Sequence, residues 1–274
     1  INGYSCSADK MNLEIIKNLK EVVSIEADTI VKLNRLQEDP PYHLSRLTSG
    51  RNFNSGDPYS YDSDGGSGVT AYIIDSGIDV NHNEFGGRAE WGTNMLRGTK
   101  DRDNVGHGTH VAGIIGSETY GVAKAVKLVA IKVFDPSANS ANSDVIAAID
   151  WVIHNHSRGP AIINLSLSSS YSTTLNSAVE GAIRRGINVV VAGGNSNADA
   201  CDFSPSSARG AIVVGATTST DARARYSNYG NCLSLFAPGD QILSTWPGQS
   251  TRKMSGTSMA TPFVVGLSAL LLSK

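Results

Sequence analysis

Five short, largely apolar runs constrain the fold of this chain more than any other feature. They cover residues 69–74, 128–134, 161–167, 187–192 and 211–214. A strand with one wet face alternates apolar and polar residues. A run such as Val-Thr-Ala-Tyr-Ile-Ile needs cover on both faces instead. Between the runs, residues 145–153 and 175–183 repeat apolar side chains at helical spacing. This alternation predicts an α/β fold: an open, mostly parallel sheet with helices on both faces. Sites in such folds form beyond the carboxyl ends of strands. Asp75 and Asn195 both stand at such ends.

Composition sets limits around that fold. A chain of 274 residues with 40% hydrophobic content can build one large core and a small extra module. A net charge of −2 with no basic block argues against nucleic acid as a partner. The apolar stretch 263–272 is broken by Gly266 and Ser268 and is too short to span a membrane. Residues 1–4 do not read as a secretion leader.

Three segments carry the chemistry. They are Asp75-Ser76-Gly77-Ile78, Gly106-His107-Gly108-Thr109-His110-Val111-Ala112-Gly113 and Ser255-Gly256-Thr257-Ser258-Met259-Ala260-Thr261-Pro262. An acid, a base and a nucleophile appear in the order Asp, His, Ser. A serine needs a base within hydrogen-bond reach to attack at neutral pH. His107 is the candidate base, and Asp75 the group that orients its imidazole. Ser258 precedes an apolar run, so it is expected to open a helix, with Pro262 in the first turn. Taken singly, Asp75 could be a turn residue, His107 and His110 buried core histidines, and Ser258 a helix cap. The spacing of His107 and His110 hints at a metal, but there is no intervening Glu and no thiolate cluster. His110 reads as a core or supporting histidine.

The three segments and their order resemble the subtilisin-type serine proteases, in particular the proteinase K branch. The resemblance implies peptide-bond hydrolysis by a serine endopeptidase with Asp75, His107 and Ser258 as catalytic triad. It also implies an oxyanion hole from Asn195, in Val191-Ala192-Gly193-Gly194-Asn195, and the Ser258 N–H. Substrate would be gripped as an added strand between Ser166-Leu167-Ser168 and Ala138-Asn139-Ser140. The first pocket would be lined by Ser166, Leu167, Ala192 and Gly193. The family commonly has glycine at Ser168, Ala138 and Ser140. Side chains there would crowd the cleft, or be harmless if they point to solvent.

Further expectations follow from the same resemblance. Residues 1–34, with helical spacing over 11–22 and strand-like stretches at 1–7 and 22–33, are similar to the second half of a subtilisin-type propeptide. An ordinary N-terminal α/β extension is the alternative. The propeptide reading implies self-cleavage between Asn34 and Arg35, a catalytic domain over residues 35–274, and a propeptide that inhibits its own cleft. Relatives continue beyond the Ser258 helix, which marks this chain as a trimmed or naturally short form. Cys201 and Cys232 match positions bridged in relatives, two free thiols being the alternative; a bridge implies a secreted or lumenal protein. Cys6 is left over. No cofactor is required. A structural calcium is possible near the carbonyls of Arg209 and Ala211, although its usual carboxylate position is Ser234. Protein or peptide substrates and a monomer complete the reading. A propeptide-plugged binding protein on a protease scaffold is the alternative function.

Overall fold

The computed structural model describes residues 3–28, 35–49 and 56–274. The chain divides into two compact units, residues 1–34 and 35–274. Among its described residues the first unit holds one helix, α1 (Lys10–Lys17). The Asp9 carboxylate caps it by accepting from Asn12 N at 2.8 Å. It ends at Asn18, whose N–H turns back to the Ile15 and Ile16 carbonyls, so the helix is shorter than the sequence predicts. The described parts of the two predicted strands, residues 3–7 and 22–28, are not strands. Val23 is 98% exposed there, and a lone extended segment has no ladder to bond into. The remainder of those stretches, including Asn34 of the predicted cleavage site, lies outside the described residues.

The second unit begins with β1 (Arg35–Gln37), α2 (Tyr42–Thr48), β2 (Tyr59–Tyr61), β3 (Thr70–Asp75) and β4 (Ala89–Asn94). Then come α3 (His107–Gly116), β5 (Lys127–Lys132), α4 (Asn142–Asn155), β6 (Ala161–Leu165), β7 (Ser169–Ser170) and α5 (Thr173–Arg184). The chain continues through β8 (Asn188–Ala192), β9 (Phe203–Ser204), β10 (Ile212–Thr217) and β11 (Leu235–Pro238). It closes with β12 (Ile242–Trp246), β13 (Ser250–Met254) and α6 (Thr257–Leu272). Seven strands form one sheet in the order β11-β10-β8-β6-β3-β5-β4. Every neighbouring pair in it is parallel.

All five apolar runs became strands of this sheet because each is buried on both sides. In β3, Ala71 and Ile73 join Val111, Ile114 and Ile115 of α3 and Val264 and Val265 of α6. Tyr72 and Ile74 point the other way, toward Val145, Ile149 and Val152 of α4 and Leu175 and Val179 of α5. Each such side chain contributes about 1.5–3 kcal/mol on burial. The edge strands β4 and β11 and the antiparallel β12–β13 hairpin have no comparable apolar signal. Their residues are partly exposed, and β4 also shifts register between Trp91 and Thr93.

Helix α6 begins at Thr257, so Pro262 is its sixth residue rather than part of a first turn. Proline has no N–H for the carbonyl four residues back, here that of Ser258. The Ser166 hydroxyl, just beyond β6, donates to that carbonyl at 2.9 Å instead. Cys201 and Cys232 are bridged, with Cα atoms 5.3 Å apart and 31 residues of separation. Cys6 is free and exposed. Replacing both bridged cysteines by alanine is expected to remove about 3–4 kcal/mol of stability. Urea unfolding of the double variant beside the oxidised wild type measures this loss, and full reduction of the wild type should reproduce it.

Candidate active site

Asp75 ends β3 and His107 opens α3, and the two side chains meet. Both Asp75 carboxylate oxygens lie 2.8 Å from His107 Nδ1. Asp75 is fully buried, while the His107 side chain keeps 22% of its surface exposed. Burial pushes the imidazole pKa down, but the Asp75 charge and hydrogen bond, with Asp103 behind, outweigh it and hold it above its ordinary value. Gly108 permits this approach: a Cβ there would run into the Gly77 carbonyl and the Asp75 side chain.

A second buried carboxylate holds the start of α3 in place. Asp103 Oδ1 accepts from Ser76 Oγ at 2.8 Å, Val105 N at 3.1 Å and Gly106 N at 2.7 Å. Its Oδ2 accepts from Thr109 N at 2.9 Å and Thr109 Oγ1 at 2.6 Å. Ser76 Oγ also accepts from Gly108 N at 2.9 Å. The buried Lys132, at the end of β5, donates to the Ser76 carbonyl at 2.6 Å. Lys132 escaped the sequence analysis because it acts on Ser76 across 56 residues, and Asp103 because it stands just before the His107 motif rather than in it; Ser76 lies inside the Asp75 motif and could have been assigned from it. Thr109 and Thr257 were inside the motifs and could have been assigned from them.

Ser258 is the second residue of α6. Its hydroxyl donates to the Ser166 carbonyl at 3.0 Å. Among the described residues it makes no hydrogen bond with His107. Asn195, three residues past the end of β8, has its amide oxygen occupied by Thr257 N at 2.8 Å and Thr257 Oγ1 at 2.9 Å. That fixes the amide NH2 facing outward. The place where a Cβ on Gly256 would stand is 3.3 Å from Asn195 Nδ2 and 3.6 Å from Ser258 N. Asn195 and Ser258, the latter at a helix N-terminus, also border one cleft.

A cleft of about 460 Å³ opens beside Ser258. Leu167, Ser168, Ala192 and Asn195 of the predicted residues line it, together with Ser169, Ser170, Gly194, Ser196, Phe203 and Thr257. Ser166 and Gly193 lie behind it, hydrogen-bonded to Ser258 O and to Val214 O respectively. Ala138, Asn139 and Ser140 are exposed on a turn before α4, with Ala138 at a φ of 60°. There the Asp135 carboxylate accepts from Asn139 N at 2.9 Å. They do not line the cleft.

His110 is wholly buried, and its Nε2 faces the carbonyls of Ile242 at 3.1 Å and Arg252 at 2.9 Å, one on each strand of the β12–β13 hairpin. Ser234 Oγ accepts from Val213 N at 3.0 Å. That hydroxyl is committed to the strand ladder. Among the described residues no group of three His, Cys, Asp or Glu stands in metal-binding reach.

A parallel sheet that presents a buried Asp–His pair and a helix-borne serine at its carboxyl ends defines a hydrolase of the subtilisin type. The Subtilase family profile matches residues 66–274, and the chain belongs to that family as a serine endopeptidase. It is 46% identical to Subtilisin-like protease 2 of Pseudogymnoascus destructans, over 98% of this chain and 68% of that protein. It is also 46% identical to the Extracellular serine proteinase of Thermus sp., over 99% of this chain and 66% of that protein. The crystal structure of a cold adapted subtilisin-like serine proteinase superposes with a TM-score of 0.82 at 46% identity, covering 86% of this chain and 85% of the other. Its substrates are therefore proteins or peptides. No helix among the described residues is long and apolar enough to cross a membrane.

Burial lowers the His110 pKa from 6.5 to about 4, so the unfolded chain takes up a proton there before the folded one does. Stability from this residue is full above the unfolded value and is lost as pH falls from about 6.5 toward 4. Urea unfolding across that range should show the decline. His110→Gln, which keeps donors for the two carbonyls without the titration, should make it shallower, with the remainder due to buried His43, whose pKa burial likewise lowers from 6.5 to about 4.

Proposed function

We propose that the chain hydrolyses peptide bonds through an acyl-enzyme on Ser258. The observation that carries this reading is that Asn195 and Ser258 border one cleft, with Asn195 Nδ2 and Ser258 N near each other beside Gly256, while Asp75 grips His107. In the first step the Ser258 hydroxyl leaves the Ser166 carbonyl and attacks the scissile carbonyl carbon. His107 Nε2 takes its proton, and Asp75 stabilises the imidazolium. The developing oxyanion accepts from Asn195 and from the Ser258 N–H. His107 then protonates the departing amine. A water molecule, deprotonated by His107, releases the acid product and restores the serine.

In this reading the protein is made as a zymogen that cuts itself after Asn34, and residues 1–34 act as a propeptide that inhibits the cleft. The boundary between the two units at Asn34 and Arg35 supports that position for the cut. The Cys201–Cys232 bridge and the extracellular naming of the Thermus relative support secretion, and the enzyme acts as a monomer. No cation at Ser234 takes part: freshly added EDTA should leave kcat/KM unchanged, and a loss restored by calcium would overturn this point.

Intact mass of the wild type beside Ser258→Ala tests the central claim. The wild type should split between Asn34 and Arg35 and the variant should stay whole. An organophosphonate supplied in trans should label Ser258; absence of labelling would favour the plugged scaffold. Asn195→Ala should lower kcat about 10²–10³-fold, the loss that removing such a donor causes in this class of enzyme, with KM little changed. Catalysis needs neutral His107, so kcat/KM should fall as pH drops through a value displaced above 6.5. Asp75→Asn should move that limb down while cutting kcat about 10⁴-fold.

A further inference from the structure

The cleft beside Ser258 holds more hydrogen-bonding capacity than hydrolysis itself uses. The Thr257 hydroxyl is spent on Asn195 Oδ1 and on Gly194 N. That of Ser258 is spent on the Ser166 carbonyl, and that of Ser169 on the carbonyls of Ser170 and Ser204. Ser168, Ser170 and Ser196 line the same cleft and are exposed, and their hydroxyls have no hydrogen-bond partner among the described residues. Ser168 Oγ lies 3.6 Å from where a Cβ on Gly194 would stand, so it overhangs the cleft floor. No ionisable side chain lines the space, and Leu167 and Phe203 supply most of its apolar wall.

We propose that this cleft selects peptides with a carboxamide side chain, Asn or Gln, immediately before the scissile bond. Ser168, Ser170 and Ser196 would be its specificity-determining partners. The inference rests on the peptide-hydrolysis reading above. A carboxamide both donates and accepts, and so does a serine hydroxyl. A carboxylate or ammonium would find no counter-charge on these walls. An aliphatic side chain of equal volume would strip water from the hydroxyls and leave them unpaired. Asn34, the last residue of the first unit, carries this same side chain.

The test measures kcat/KM on acylated tetrapeptide anilides that differ only in the residue before the anilide bond. Asn is compared with Leu and Gln with Met, two size-matched pairs, with Lys and Glu as charged controls. Two hydrogen bonds of ordinary strength should favour Asn over Leu and Gln over Met by about tenfold or more, with Lys and Glu slower than either carboxamide. In Ser168→Ala/Ser196→Ala the ratios should shrink toward unity, mainly through loss on Asn and Gln. Phosphonate labelling of Ser258 reports whether each variant is folded, and the single variants serve if the double one is not. If the peptides are cut but Leu equals or exceeds Asn, the preference is overturned while hydrolysis stands. If no peptide is cut and wild-type Ser258 does not label, the hydrolase reading falls and takes this inference with it. A preference that survives in the serine variants would overturn the role assigned to those hydroxyls.

Discussion

The buried carboxylate of Asp103 accepts hydrogen bonds from Ser76, Val105, Gly106 and both donors of Thr109, and the placement of His107 depends on them. A carboxylate out of water is costly unless its oxygens are filled. Here they are filled by the loop entering α3, by the first turn of that helix and by the residue after Asp75. One side chain therefore ties the end of β3 to the start of α3, which are the two places where the acid and the base stand. Lys132 adds a buried cation on the neighbouring strand, donating to the carbonyl of Ser76.

The serine is positioned by a different device. Pro262 removes one hydrogen bond from α6, and the freed Ser258 carbonyl is taken by the Ser166 hydroxyl. The Ser166 carbonyl in turn accepts from the Ser258 hydroxyl. Two residues that are distant in sequence are bonded twice, which anchors the helix start to the end of β6. Thr257 completes the anchoring by occupying the amide oxygen of Asn195. The orientation of that amide is thereby decided by hydrogen bonding rather than left free.

Much of the fold was legible in the sequence because burial on both faces demands continuous apolar runs. Residues such as Ile73, Ile74, Val190 and Val191, all buried, announce themselves whatever their partners are. The edges of the sheet were not legible. β11 carries Leu235 and Phe236 at 36% and 41% exposure, and β13 is Ser-Thr-Arg-Lys-Met, so neither has an apolar code distinct from a loop. In residues 3–28 the reverse happened: Val23 and Ile25 look like strand residues, but a strand exists only when another strand pairs with it. The site shows the same division. Asp75, His107, Asn195 and Ser258 stand in short glycine-rich motifs, whereas Lys132 acts on Ser76 across 56 residues, a gap that no local pattern spans.

The sequence by itself determined the class of fold, the family and the residues of the Asp–His–Ser order, because burial periodicity and local motifs are properties of neighbouring residues. Only the tertiary structure decided which groups converge and which are already spent. It turned Pro262 from a first-turn residue into the cause of the Ser166–Ser258 bond. It left Ala138, Asn139 and Ser140 off the Ser258 cleft and brought Ser170, Ser196 and Phe203 to its walls. Hydrogen bonding is short-ranged and directional, so the partner of a buried donor or acceptor is fixed by the packing of whole elements and cannot be read from the chain around it.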